Sequence, residues 1–152
     1  MHLFQLLSAA DLHEERVRIL RSLGAVRNKD LIQRVLDLSL SKDVRSQDTV
    51  FVISGVTGSV EGRELTWQFV QDRWTDLHDR YKGGFLLARL IKFSTESFVT
   101  EEKAKEIEAF FVKNPAPAGE RTIQQSLENI RLNKKQLERD GPAIKVFLKN
   151  LK

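Results

Sequence analysis

Residues 49–56 read TVFVISGV, and the fold class turns on them. The run is continuously apolar and rich in β-branched side chains, a composition that by propensity alone favours a strand. A lone strand among helices would find no neighbour for its N–H and C=O groups, and unpaired backbone in a core is costly. The segment is therefore predicted to be a short buried helix, capped by Ser46.

The surrounding sequence supplies the reason for that choice. Apolar residues recur at helical spacing almost throughout. Trp67, Val70, Trp74, Leu77 and Tyr81 form a 3-4-3-4 stripe on one long helix that ends at Tyr81. The same rhythm runs through Leu31, Ile32, Val35 and Leu36, through Leu86, Leu87, Leu90 and Ile91, and through Ile107, Phe110 and Phe111. It returns in Ile123, Leu127, Ile130 and Leu137, then in Ile144, Phe147, Leu148 and Leu151. Asn28 is placed to cap one helix. Thr100, followed by Glu101 and Glu102 on the favourable end of the dipole, is placed to cap another.

Breaks are expected at Gly24, across GVTGSVEG (55–62), at Gly83-Gly84, across NPAPAG (114–119) and at Gly141-Pro142. The glycines at 55, 58 and 62 read as an inter-helix hinge. All the gaps are short, which makes neighbouring helices antiparallel. The expected fold is all-α: one domain over residues 1–152, an α-α superhelix of antiparallel helix pairs of the HEAT or armadillo kind, without a sheet. The helix lengths suggest the solenoid; no repeat of fixed period is visible.

Several functions are disfavoured by what the chain lacks. It has no cysteine and three histidines. His13 opens HEERV, without the second histidine of HExxH, and His78 reads as a surface side chain. No nucleophile elbow or phosphate loop is present. No window holds the ~18 apolar residues a membrane span needs. The net charge of +4 comes from 25 basic and 21 acidic residues that are interleaved, so a nucleic-acid partner is not expected. The basic tail, with Lys145, Lys149 and Lys152, reads as a solvated helix face. The two tryptophans, at helical spacing, read as core rather than as a platform for bases. The first residues, MHLFQLL, carry Leu3, Phe4, Leu6 and Leu7 with almost no charge. An exposed apolar N-terminal face, and self-association through it, are expected because terminal solenoid pairs need a polar cap.

The stretch YKGGFLLARLIKF (81–93) breaks a helix and resumes it at once. Gly83 and Gly84 suit a left-handed helix cap. The following helix begins with free N–H groups near Gly84, Phe85 and Leu86, able to approach an extended peptide or its carboxylate. Arg89, four residues after Phe85, shares its face. Either the two together receive a peptide, or the glycines are a plain turn with Phe85 in the core and Arg89 paired to an acid.

Four segments, DLIQRVLDLSLSKDVRSQDTV, WQFVQDRWTDLHDRYKGGFLLARLIKFSTESF, FFVKNPAPAGERTIQQSLENIRLN and the RD at 139–140, run in order from Gly24 to Leu148. In them the chain resembles the C-terminal domain of the puromycin-sensitive aminopeptidases, members of the HExxH gluzincin zinc aminopeptidases. The resemblance implies part of the C-terminal domain of a larger enzyme, with the catalytic domain absent. It implies an α-α superhelix that walls an internal cavity and confines peptide substrates over the catalytic domain of the same parent. Tyr81, Gly83, Gly84, Phe85 and Arg89 are then candidates for that wall, with Arg63 and Arg121 as alternatives. Zinc is expected only in the missing catalytic domain, with no cofactor here. The expected partners are that domain and peptides, the compartment the cytoplasm. The competing expectation is a free-standing helical adaptor that binds proteins in its groove.

Overall fold

The structure is a computed structural model and describes residues 2–82 and 84–151. Among these residues there are nine α-helices and no strand: α1 His2–Ala9, α2 His13–Gly24, α3 Lys29–Ser39, α4 Ser46–Val56, α5 Val60–Asp72, α6 Trp74–Tyr81, α7 Phe85–Thr95, α8 Glu101–Lys113 and α9 Glu120–Lys149. A 3-10 turn, Pro117–Gly119, precedes α9. Helices α2, α4, α7 and α9 follow one another in one row, and α3, α5 and α8 lie in a second, so the chain alternates between two layers. This is the α-α superhelix expected from the short gaps.

TVFVISGV is helical, and α4 occupies the centre. It touches α2, α3, α5 and α7. Val50, Val52, Ile53 and Val56 are buried on several sides of it, with Asp48 and Thr49. Its apolar surface goes all the way round because neighbours cover it all the way round. Its cap differs from expectation. Arg45 holds the N-cap position without a side-chain bond, and Ser46 is the first helical residue. The Ser46 carbonyl instead accepts a hydrogen bond from the Tyr81 hydroxyl. Asn28 and Thr100 cap as expected, accepting from Leu31 N–H at 3.1 Å and Lys103 N–H at 3.2 Å.

Gly24 ends α2, at the expected break, whereas Gly55 lies inside α4 rather than in a hinge; the two helices cross at these glycines. A Cβ on Gly24 would stand 2.9 Å from the Gly55 Cα, and one on Gly55 3.2 Å from the Gly24 Cα. Gly62 also lies within a helix. Its Cβ position falls 1.9 Å from the Val56 carbonyl oxygen, so α5 starts directly against the end of α4. Only residues 57–59 connect the two helices.

The Trp67–Tyr81 stripe is buried throughout but spans two helices. Arg73, at φ −110° and ψ 19°, separates α5 from α6. The break suits an aromatic cluster: Trp74 lies 5.6 Å from Phe110 and 5.3 Å from Phe111, and Trp67 lies 5.2 Å from Phe110. The Trp67 indole N–H donates to Glu106 at 2.7 Å, and Lys103 joins Glu64 at 2.9 Å to Glu106 at 2.8 Å. These contacts fasten α8 to α5.

At the N-terminal end the expected apolar face is largely folded onto the body. Leu7 is buried, Leu3 and Phe4 pack against the core, and Leu6 is 39% exposed. Arg16 donates to the Leu7 carbonyl at 2.8 Å and to the Asp43 carbonyl at 2.8 Å, tying α1 to the α3–α4 connection. The opposite end departs further from expectation. No break occurs at Gly141-Pro142; α9 runs through both. Pro142 and Glu138 are exposed, so water can serve the carbonyl that the proline leaves without a donor. Beyond Ile130 the stripe loses its cover. Leu137, Ile144, Phe147, Leu148 and Leu151 are all more than half exposed.

Two outcomes follow from this packing. Gly24→Ala forces backbone apart at the α2–α4 crossing and is expected to cost about 1–3 kcal/mol, lowering Tm by roughly 3–10 °C in a thermal melt. An unchanged Tm would refute the crossing. For Lys103, burial disfavours the ammonium, but hydrogen bonds to Glu106 and Glu64 outweigh it and raise the pKa above the ordinary 10.5. A folded pKa above the unfolded one gives stability that is present below pH 10.5 and lost as pH climbs through the raised value. Denaturant midpoints of wild type and Lys103→Met should differ at pH 9 and converge at alkaline pH.

Candidate functional site

Helix α7 divides into two faces. Leu87, Leu90, Ile91, Ser94 and Thr95 are buried between α4 and α9. Ser94 and Thr95 return their hydroxyls to the Leu90 carbonyl at 2.8 Å and the Ile91 carbonyl at 2.6 Å, so neither is left unpaired. Gly119 admits the turn before α9 against Ile91: a Cβ there would stand 2.4 Å from Ile91 Cδ1. The outer face carries Phe85, Arg89 and Lys92 at i, i+4 and i+7.

Phe85 is 70% exposed. The Arg89 guanidinium lies over its ring, 5.4 Å from the centroid. Among the described residues Arg89 makes no ion pair. The plain-turn alternative, with Phe85 in the core and Arg89 bound to an acid, is not what forms. An exposed phenyl ring held beneath a cation offers an apolar surface and a positive charge to one ligand.

Tyr81 lies elsewhere. It is buried, with its hydroxyl on the Ser46 carbonyl. Next to it, Arg80 donates to Thr49 Oγ1 at 3.3 Å and to the Leu40 carbonyl at 3.3 Å, while Thr49 donates to the Ser39 carbonyl at 2.6 Å. Tyr81 and Arg80 therefore anchor the end of α6 to the junction of α3 and α4. They fix where α7 starts but add no exposed side chain beside Phe85. Gly83 lies outside the described residues. Gly84 is the N-cap of α7 in extended conformation, φ −113° and ψ 158°, rather than a left-handed helix cap. A Cβ on it would meet nothing closer than 3.5 Å. Its N–H donates to the Tyr81 carbonyl at 3.1 Å. No side chain caps α7, which leaves its first turn open to an outside acceptor.

The outer face of α7 leads into a polar cleft against α9. The cleft has a volume of about 320 Å³ and includes Lys92, Glu96, Thr122, Gln125 and Asn129. Gln125 and Glu128 are shared with an adjoining cleft of about 520 Å³ that Arg121, Arg131 and Lys135 border. The surface beyond Phe85 thus continues as amide, basic and acidic side chains, with Lys92 paired to Glu96 at 3.5 Å. Lys92 was missed from sequence, although its spacing from Phe85 and Arg89 was a usable signal. Gln125 and Asn129 carried none, because only packing sets which face of α9 meets α7. Arg121 lies near this strip. Arg63 does not: its Nε donates to the Thr57 carbonyl at 3.3 Å, and it lines a separate groove.

Among the described residues no group of three or more His, Asp or Glu could hold a metal ion. His78 stacks 5.6 Å from Trp74. Among the described residues no helix is long and apolar enough to cross a membrane.

A family model described as ERAP1-like C-terminal domain matches residues 2–132. Aminopeptidase M1 of Arabidopsis thaliana is 39% identical over 128 residues, covering 84% of this chain and 14% of that protein. Aminopeptidase M1-B of Oryza sativa subsp. japonica is 34% identical, covering 82% of this chain and 14% of its own length. Aminopeptidase N of Mus musculus is 31% identical over 147 residues, covering 93% of this chain and 15% of that protein. The chain thus spans about a seventh of these relatives. They are aminopeptidases of the M1 and N type, so the likeness is broader than the puromycin-sensitive group.

The geometry separates two aromatic residues by stability. Phe85→Ala should leave Tm nearly unchanged, because the ring is exposed. Tyr81→Phe should cost about 1 kcal/mol through loss of the bond to Ser46. A large loss of Tm for Phe85→Ala would mean the ring is core after all.

Proposed function

The chain belongs to the ERAP1-like C-terminal domain family, and from that premise we propose that it is a non-catalytic helical portion of a cytosolic zinc aminopeptidase of the puromycin-sensitive type. In this reading the missing catalytic domain holds the zinc and performs the hydrolysis. The helical portion walls the cavity over it and holds the downstream part of the peptide. The single observation that carries the reading is the Phe85–Arg89 pair. A large aromatic side chain is held in solvent under a guanidinium that makes no ion pair among the described residues, at the open N-terminus of a helix whose other face is core.

The physical role of each residue follows from its position. Arg89 presents a planar cation that pairs with a peptide carboxylate, terminal or side chain. Phe85 gives an apolar surface to a peptide side chain and shields the cation from water on one side. Lys92, Arg121 and the amides of Gln125 and Asn129 extend the strip along an extended peptide. Tyr81 and Arg80 contribute by position, holding the end of α6 so that α7 begins at a fixed place. None of these groups touches the scissile bond, and the strip does no covalent chemistry.

Arg89→Ala in the full-length parent tests this. A charge-assisted bond covered by bound peptide is worth roughly 1.5–3 kcal/mol. Turnover of long peptides should therefore fall about tenfold or more, with the melting temperature unchanged. A single-residue aminoacyl reporter, too short to reach the wall, should be cleaved at the normal rate. Unaltered long-peptide kinetics would sink the proposal.

A further inference from the structure

The C-terminal half of α9 stands apart from the body and differs from it in charge. From Asn133 to Lys152 there are six basic side chains and two acidic ones, a net of +4 that equals the net charge of the whole chain. These residues also lie beyond the stretch 2–132 that the family model matches. The apolar stripe of α9 does not stop where the body stops. Ile123, Leu127 and Ile130 are buried, and Leu137, Ile144, Leu148 and Leu151 continue the row at 55%, 54%, 57% and 65% exposure. At about 1.5 Å per residue the helical part of this overhang, residues 134–149, is roughly 24 Å long.

The row faces an inside corner. Leu137, Gly141 and Ile144 form one wall of a groove of about 440 Å³, and Arg63, Ser97 and Val99 form part of the rest. Asn133 secures the corner by donating to the Glu96 carbonyl at 3.0 Å and the Phe98 carbonyl at 3.2 Å. Gly141 is a notch between Leu137 and Ile144: a Cβ there would meet only Leu137 Cδ1, at 3.6 Å. Arg63 stands on one side of the groove, and Lys145 and Lys149 stand on the overhang. Among the described residues none of the three makes an ion pair. Asp140 is matched by Arg139 at 2.7 Å.

We propose that this overhang and corner seat one acidic amphipathic helix supplied by the remainder of the parent polypeptide, a proposal that rests on the reading of the chain as one portion of a longer protein. Three observations select that occupant. The stripe continues the face that packs against protein in the first half of α9. The corner admits a rod, whereas a flat bilayer cannot enter it. The net positive charge of the overhang repels a second copy of itself and attracts acids on an incoming helix. The relatives are about seven times as long as the span matched here, so such a helix has ample sequence to come from.

Hydrogen–deuterium exchange over residues 134–151 reads the seat directly. It is measured in this chain alone and in the full-length parent. Exchange should be at least tenfold slower in the parent. The protection should vanish in the parent carrying Lys145→Glu with Lys149→Glu, and separately in the parent carrying Ile144→Asp. These positions are exposed, so Tm of the chain itself should not move with either variant. Equal exchange in chain and parent overturns the proposal. So does protection in the chain alone that appears only with 3:7 phosphatidylserine–phosphatidylcholine vesicles, or that rises with chain concentration, since a bilayer or a second copy would then be the occupant. Unchanged exchange in a parent that cleaves peptides normally defeats the seat alone. A parent without aminopeptidase activity defeats the functional reading, whatever the exchange shows.

Discussion

The crossing of α2 over α4 at Gly24 and Gly55 is the constraint on which the rest depends. Two helices approach there until backbone meets backbone, with no room for a Cβ on Gly24 and only a tight fit for one on Gly55. That closeness lets α2 cover one side of α4 while α3, α5 and α7 cover the others. An all-round apolar helix is stable in water only when enclosed in this way. Gly62 applies the same device at the next step, allowing α5 to start against the last carbonyls of α4. The superhelix is thus set by close contacts at its glycines and filled by Val, Ile and Leu.

From this centre the candidate site is positioned by anchoring. Tyr81 and Arg80 reach the start of α4 and the end of α3, so the end of α6 is held by hydrogen bonds to the first half of the domain. Helix α7 then begins at a determined place, and its buried face fixes its rotation. Phe85 and Arg89 are left outside as a consequence. Their exposure is a product of the fold, and the stacked cation gives it a chemical sense that an isolated exposed phenylalanine would lack. The cleft against α9 extends the same surface through amides and charged side chains of both signs.

The two ends of α9 show how one helix can serve different ends. Its first half is an ordinary core helix, closed by Ile123, Leu127 and Ile130. Its second half repeats the pattern without cover and concentrates the charge. Apolar surface kept in water is unfavourable, and the basic flank offsets its tendency to self-associate.

The sequence by itself determined the helices. Periods of three and four, with Asn28 and Thr100 as caps, placed most of them, and the scarcity of possible strand partners turned TVFVISGV into a helix against its own propensity. The family likeness was legible in YKGGFLLARLIK and NPAPAGERTIQQ. The tertiary structure decided what periodicity cannot encode. It separated α5 from α6 at Arg73, between two tryptophans that both reach Phe110. It made Gly55 and Gly62 contact points rather than hinges, since a glycine read alone does not tell flexibility from close approach. It carried α9 through Gly141 and Pro142, because a helix edge in water tolerates a missing hydrogen bond. It also sent Tyr81 inward and Phe85 outward from adjacent helices. Apolar character predicts burial only on average; which of the two was covered depended on where the start of α4 placed the Ser46 carbonyl for the Tyr81 hydroxyl and on which face of α7 had no neighbour.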